Sequence, residues 1–187
     1  MSKTKIYYWD ACIYLAWIKN EEAIYGKDRM EAIQKILKDN FERNAVIITS
    51  TLTIVEVLSA DLTSEQEELF HKSFRPSDHI RYDLDPPIAL KARDFRKRCL
   101  DDKSGKTLAT PDAIHLATAV ICGADEFLTF DKGGKDKKSL GLLGLNKDPR
   151  IDELLIKEPE LPPGEYPLFE EIITEPKSKP RRQIDLS

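Results

Sequence analysis

Much is missing from this 187-residue chain, and each absence narrows what it can be. There are three cysteines, Cys12, Cys99 and Cys122. Their number is odd, their spacing fits no metal motif, and each lies in an apolar stretch. Buried free thiols in a reducing compartment are therefore expected. No apolar run reaches the roughly 20 residues that span a bilayer, and the first residues lack a signal-peptide layout. The sequence thus predicts a cytoplasmic protein with no membrane partner. Positive charge is not in excess, since 29 Lys and Arg face 33 Asp and Glu for a net charge of −4, so any basic surface must be local. There is no phosphate-binding glycine loop and no Ser/His/Asp or Cys/His constellation. An Asp-x-Asp phosphatase motif is also absent, because Ala11 and Cys12 follow Asp10. These gaps argue against an NTPase and against an aspartyl-phosphate enzyme.

What is present suits one domain and a tail, with 41% apolar residues to supply its core. Lys5 to Trp9 is rich in β-formers and stops at Asp10, which reads as a buried strand leading into a helix over Ala11 to Lys19. Lys27 to Phe41 reads as a helix with Met30, Ile33, Ile36 (or Leu37) and Phe41 as its apolar stripe. Val46 to Thr49 is a short strand, and helices follow over Thr53 to Ala60 and Ser64 to Phe74. Ile80 to Leu84 is a third strand. Pro86-Pro87 opens a long helix to about Leu100, with Ile88, Ala92, Phe95 and Cys99 inward and Arg93, Arg96 and Lys97 on another face. A loop with Lys103, Gly105 and Lys106 leads to a helix ending near Gly123, and Glu126 to Phe130 is a fourth strand. This alternation of strands and helices predicts an α/β fold with a mostly parallel central sheet covered on both faces. Trp9, Trp17 and Phe95 are expected in the core. Ile151 to Ile156 adds a last strand or short helix, which places the domain at residues 1–156. Residues 157–187 form a proline-rich tail that lacks a core of its own, although Tyr166, Leu168, Phe169, Ile172 and Ile173 could pack on the domain. The basic end of that tail (Lys177, Lys179, Arg181 and Arg182) reads as tail rather than as a clamp. No internal repeat is found.

Four carboxylates stand where strands end or helices begin. Asp10 and Asp131 end the first and fourth strands. Thr110 reads as an N-cap and Pro111 as the first helical residue, which puts Asp112 in the first turn. Because that helix leads into the fourth strand, it starts at the rim where that strand ends. Glu56 interrupts the apolar run Ile54, Val55, Val57, Leu58, on a helix whose early turns reach the same rim. Taken singly, each acid has an ordinary explanation: a favourable helix-terminal charge, an N-cap, a turn before Lys132-Gly133-Gly134, or a solvent-side position. Together they would repel strongly without a cation between them. All-oxygen ligation suits Mg²⁺ or Mn²⁺, and such ions support phosphodiester hydrolysis. In parallel α/β sheets ligands bind beyond the carboxyl ends of the strands, where these acids converge.

The set Tyr8-Trp9-Asp10-Ala11-Cys12, Thr53-Ile54-Val55-Glu56-Val57-Leu58, Thr110 through Ala119 and Phe127-Leu128-Thr129-Phe130-Asp131 resembles the PIN domain family, and most of all its VapC-type toxin ribonucleases. The resemblance spans roughly residues 5 to 131 in order and spacing. It implies a three-layer α/β/α fold and a Mg²⁺- or Mn²⁺-dependent endoribonuclease that leaves a 5′-phosphate on the downstream product. It carries metal binding onto Asp10, Glu56, Asp112 and Asp131, and an assisting role onto Thr129. It also implies an RNA substrate, an antitoxin partner that blocks the site, and a homodimer. The family often has Thr or Ser and then Ser or Asn after the first Asp, whereas Ala11 and Cys12 stand here. His115, three residues after Asp112, reads as a supporting residue rather than the base. Arg93, Arg96, Lys97, Lys103 and Lys106 are the candidates for contacting RNA phosphates. The alternatives are a non-catalytic PIN-like module that holds RNA or a protein, and a nuclease for structured DNA.

Overall fold

The computed structural model describes residues 4–75, 79–100, 105–134 and 138–161. Among the described residues the chain forms five parallel strands: β1 (Lys5–Trp9), β2 (Ala45–Ser50), β3 (His79–Tyr82), β4 (Glu126–Leu128) and β5 (Ile156–Lys157). Their spatial order is β3-β2-β1-β4-β5, with Tyr8 of β1 opposite Ile48 on one side and Phe127 on the other. The chain leaves β1 toward β2 and later returns to β4 on the other flank. The crevice between the ends of β1 and β4 is therefore the place where a parallel sheet takes a ligand.

The strand pleat divides the core. Tyr8, Ile48 and Phe127 face one way; Trp9, Ile47 and Leu128 face the other. The first face is covered by α6 (Pro86–Arg98) and α7 (Thr110–Ile121), through Ile88, Ala92, Phe95, Leu116 and Ala117. The second is covered by α1 (Ala11–Ile18), α3 (Lys27–Phe41), α4 (Leu52–Leu58) and α5 (Ser64–Ser73), through Ile13, Met30, Ile33, Val57 and Phe70. Each large apolar side chain buried this way contributes about 1.5–3 kcal/mol of transfer free energy. A short α2 (Glu22–Tyr25), which sequence periodicity did not reveal, precedes α3. The three-layer α/β/α arrangement agrees with the sequence reading. No helix among the described residues is long and apolar enough to cross a membrane.

Three details differ from expectation. Phe41 is 80% exposed, because Asn40 takes the inward place one turn after Ile36 and its amide Nδ2 donates to the Ala45 carbonyl at 3.1 Å. Trp17 is half-buried rather than fully enclosed. The N-cap of α7 is Ala109, not Thr110, so Pro111 is the second helical residue. Either of the first two positions tolerates proline, since neither N–H has an intrahelical partner. Of the three free cysteines, Cys99 is buried while Cys12 and Cys122 are half-buried.

After β4 the chain folds back over the rim. Two 3-10 turns (Leu142–Leu145 and Pro149–Ile151) lead to β5. This return requires Gly141: a Cβ there would lie 2.2 Å from the Gly133 nitrogen, so the two glycines pack backbone against backbone. Beyond β5, Glu158 pairs with Arg29 and Lys132. Residues 162–187, with Tyr166, Leu168, Phe169, Ile172 and Ile173, lie outside the described residues.

Candidate active site

Asp10 leaves β1 as the N-cap of α1. Its Oδ1 accepts the Ala11 N–H at 2.8 Å, and its Oδ2 accepts the Thr129 hydroxyl at 2.7 Å. Thr129 is fully buried and its Oγ1 also accepts the Asp131 N–H at 3.0 Å. One hydroxyl thus ties the ends of β1 and β4 together and aims Asp10. Cys12 lies in the first turn of α1, two residues after Asp10. Burial first, and then the Asp10 charge, pushes its thiol well above the ordinary cysteine range. It therefore stays protonated, with Sγ donating to Asp10 Oδ2 at 3.2 Å and accepting the Phe130 N–H at 3.2 Å. The thiol thereby joins the start of α1 to the segment after β4.

Glu56 lies on α4, half-buried, and its Oε2 is 2.7 Å from His115 Nε2. His115 is buried on α7, and its Nδ1 is 2.6 Å from the Tyr8 hydroxyl. Burial alone would lower the imidazole pKa. The Glu56 hydrogen bond and the charges of Asp10, Glu56 and Asp112 outweigh it and raise the pKa. Ligand atoms of Asp10, Glu56 and His115 all fall within 4.8 Å of one another.

Asp112, in the first turn of α7, is partly buried and accepts the Ser139 hydroxyl at 3.2 Å. Burial, then the charges of Asp10 and Asp131, push its carboxyl up to about 6. Asp131 shares this electrostatic neighbourhood but is held differently. Its Oδ1 accepts the Gly133 N–H at 2.9 Å and its Oδ2 the Leu142 N–H at 3.0 Å. It organises the returning loop as well as adding charge at the rim.

The cationic candidates divide. Arg93, Arg96 and Lys97 line one groove of about 410 Å³ with Leu84, Ala89, Ala92, Leu100, Thr110 and Ile114. Thr110 and Ile114 of α7 line it, and none of the four acids does. Within it Arg93 pairs with Asp94, and Arg96 Nε donates to the Leu108 carbonyl at 3.1 Å. Lys106 instead donates to the Gly134 carbonyl at 2.7 Å and steadies the loop after Asp131. Lys103 lies outside the described residues. Sequence reasoning missed Tyr8 and Ser139 as partners of the site. Tyr8 had a signal, since it lies two residues before Asp10 and so on the same side of the strand. Ser139 had none, because its place depends on the Gly133–Gly141 contact.

The sequence model of the PIN domain matches residues 7–138. This chain belongs to the PIN domain family. Among solved structures, this PIN domain is similar to one described as VapBC2 from Rickettsia felis bound to a DNA fragment from their promoter. The TM-score is 0.56 and identity is 15%, over 82% of this chain and 98% of that one. At that identity the likeness concerns the fold. A comparison with curated proteins finds no match. The match begins within β1 and ends beyond Asp131, so it takes in all four acids.

Proposed function

We propose that this PIN domain protein is a divalent-metal-dependent endoribonuclease and the toxin of a toxin–antitoxin pair. The observation that carries the reading is the crowding of acids at the sheet's switch point. Asp112 is driven up to about 6 by burial and by the charges of Asp10 and Asp131, and ligand atoms of Asp10, Glu56 and His115 lie within 4.8 Å of one another. Oxygen donors this dense suit Mg²⁺ or Mn²⁺, and the residues present fit such an ion. Asp10, Glu56, Asp112 and Asp131 would hold it. When bound, a divalent cation polarises a phosphodiester and acidifies water. The protein's own part is positional. Thr129 and Cys12 fix the direction of Asp10, and Ser139 steadies Asp112. Arg93, Arg96 and Lys97 line a groove that can lead an RNA backbone to the acids. The antitoxin and the homodimer rest on the family pattern and on a structural relative that is itself a VapBC assembly.

The test is cleavage of a mixed RNA pool by the full chain, in Mn²⁺ or Mg²⁺ against chelator, with Asp112→Asn as control. Cutting that requires metal and disappears in the variant supports the reading. No cutting, together with no heat of metal binding, refutes it. Lys97→Ala is expected to weaken RNA binding evenly across sequences and to lower the slope of log K against log salt by about 1. An unchanged slope in fluorescence anisotropy would remove the groove from the RNA path.

A further inference from the structure

His115 connects two parts of the molecule that are far apart in sequence. Glu56, as a carboxylate, can only accept, so the proton between it and His115 belongs to Nε2. On the other side of the ring, Tyr8 Oη accepts the Ser50 N–H at 3.1 Å. A phenol keeps its own proton at neutral pH. In the neutral imidazole that proton goes to Nδ1, 2.6 Å away. With the ring neutral the hydrogen-bond chain is directed, Ser50 N–H to Tyr8, Tyr8 O–H to His115 Nδ1, His115 Nε2–H to Glu56, and with the ring charged the Nε2–H bond to Glu56 is kept. This chain starts at the end of β2, crosses β1 and α7, and ends on α4. Both ring nitrogens are committed, which leaves no imidazole lone pair for a cation.

We infer that His115 is a positioning residue, oriented by Tyr8, that sets the direction of the Glu56 carboxylate. The inference rests on the metal-site reading and names what arranges one of its ligands. The hydrogen bond occupies Oε2 and leaves Oε1 free of it. Glu56 needs such a hold. Its helix is only seven residues long, its neighbour Val55 is 62% exposed, and its own side chain is about a third exposed. Partners of this kind behind a metal ligand matter by about 10–100-fold in metal affinity.

The experiment uses the full chain and its His115→Ala, His115→Gln and Tyr8→Phe variants. Two quantities are read: Mn²⁺ affinity by calorimetry and the imidazole tautomer from ¹⁵N shifts. His115→Ala is expected to lose about 10–100-fold in Mn²⁺ affinity. Gln can place an amide N–H where Nε2 stands and should recover most of that loss. Tyr8→Phe keeps the ring stacked on Phe127, with centroids 4.8 Å apart, and so should fold. It should lose several-fold in affinity and shift the Nδ1 resonance. Wild-type affinity in His115→Ala overturns the inference, as does a wild-type spectrum with the proton on Nδ1 alone. If His115→Ala does not fold, unchanged affinity and unchanged nitrogen shifts in Tyr8→Phe overturn it instead. If the wild type binds no Mn²⁺, the metal reading falls. The relay is then judged by the tautomer alone, with an Nε2–H ring that changes on Tyr8→Phe upholding it and any other spectrum overturning it.

Discussion

Asp10→Asn is expected to reduce metal-dependent RNA cleavage by at least about 100-fold, the scale on which loss of one charge-stabilising group is felt in other hydrolases. The fold should survive the change. The retained oxygen of Asn still accepts the Ala11 N–H, so the cap of α1 remains. On the other side an amide N–H₂ replaces Oδ2. The Thr129 hydroxyl, which already accepts from Asp131, would turn from donor to acceptor, and the Cys12 thiol would lose its acceptor. That rearrangement costs about 1 kcal/mol, against the several kcal/mol of a folded domain. Loss of cutting with a melting curve close to wild type would place Asp10 in the chemistry. Cleavage at the wild-type rate would take Asp10 out of the metal centre and leave it a helix cap.

Periodicity made much of this fold legible, because a parallel sheet buried on both faces needs strands apolar on both sides, and Ile-Tyr-Tyr-Trp and Val-Ile-Ile meet that need. The rim acids were legible for the same reason. A carboxylate that ends such a run needs polar partners at the strand's end, so Asp10, buried but hydrogen-bonded, and half-buried Asp131 mark where the sheet opens. Glu56 was harder to place, since an acid in an apolar helical run has two faces to choose between. His115 decides between them in space, from 59 residues away in sequence. Phe41 shows the limit of the stripe argument: a polar residue with a carbonyl to bond, Asn40, can displace an aromatic from the inner face at the last turn of a helix. The segment carrying Ser139 and Leu142 was not legible at all. Its position follows from two glycines whose backbones touch, and no pattern of apolar residues encodes a contact made by absent side chains.

Asp112→Asn should stabilise the metal-free protein near pH 7.5, by about 3 kcal/mol, although it removes a group proposed to be essential for activity. The carboxyl is raised to about 6 in the folded chain, from 3.8 in its ordinary state, by burial first and then by Asp10 and Asp131. Below about pH 4 it is protonated folded and unfolded alike, and there is no difference between wild type and variant from this source. Between pH 4 and 6 the unfolded chain releases the proton while the folded chain keeps it, so wild-type stability falls as pH rises. Above about pH 6 the whole penalty is present, because the folded chain then carries the crowded charge. Asn cannot ionise, and it can still accept the Ser139 hydroxyl, so the variant escapes the penalty at little structural cost. Urea unfolding in chelator should show the two proteins converging at pH 4 and diverging by pH 7.5. A variant no more stable than wild type at pH 7.5, or an advantage undiminished at pH 4, would contradict the electrostatic account of the site. Saturating Mg²⁺ should reverse the order, since a cation that binds the folded wild type adds stability by mass action and the Asn variant binds it less well. That reversal would show charges arranged for an ion rather than for the fold.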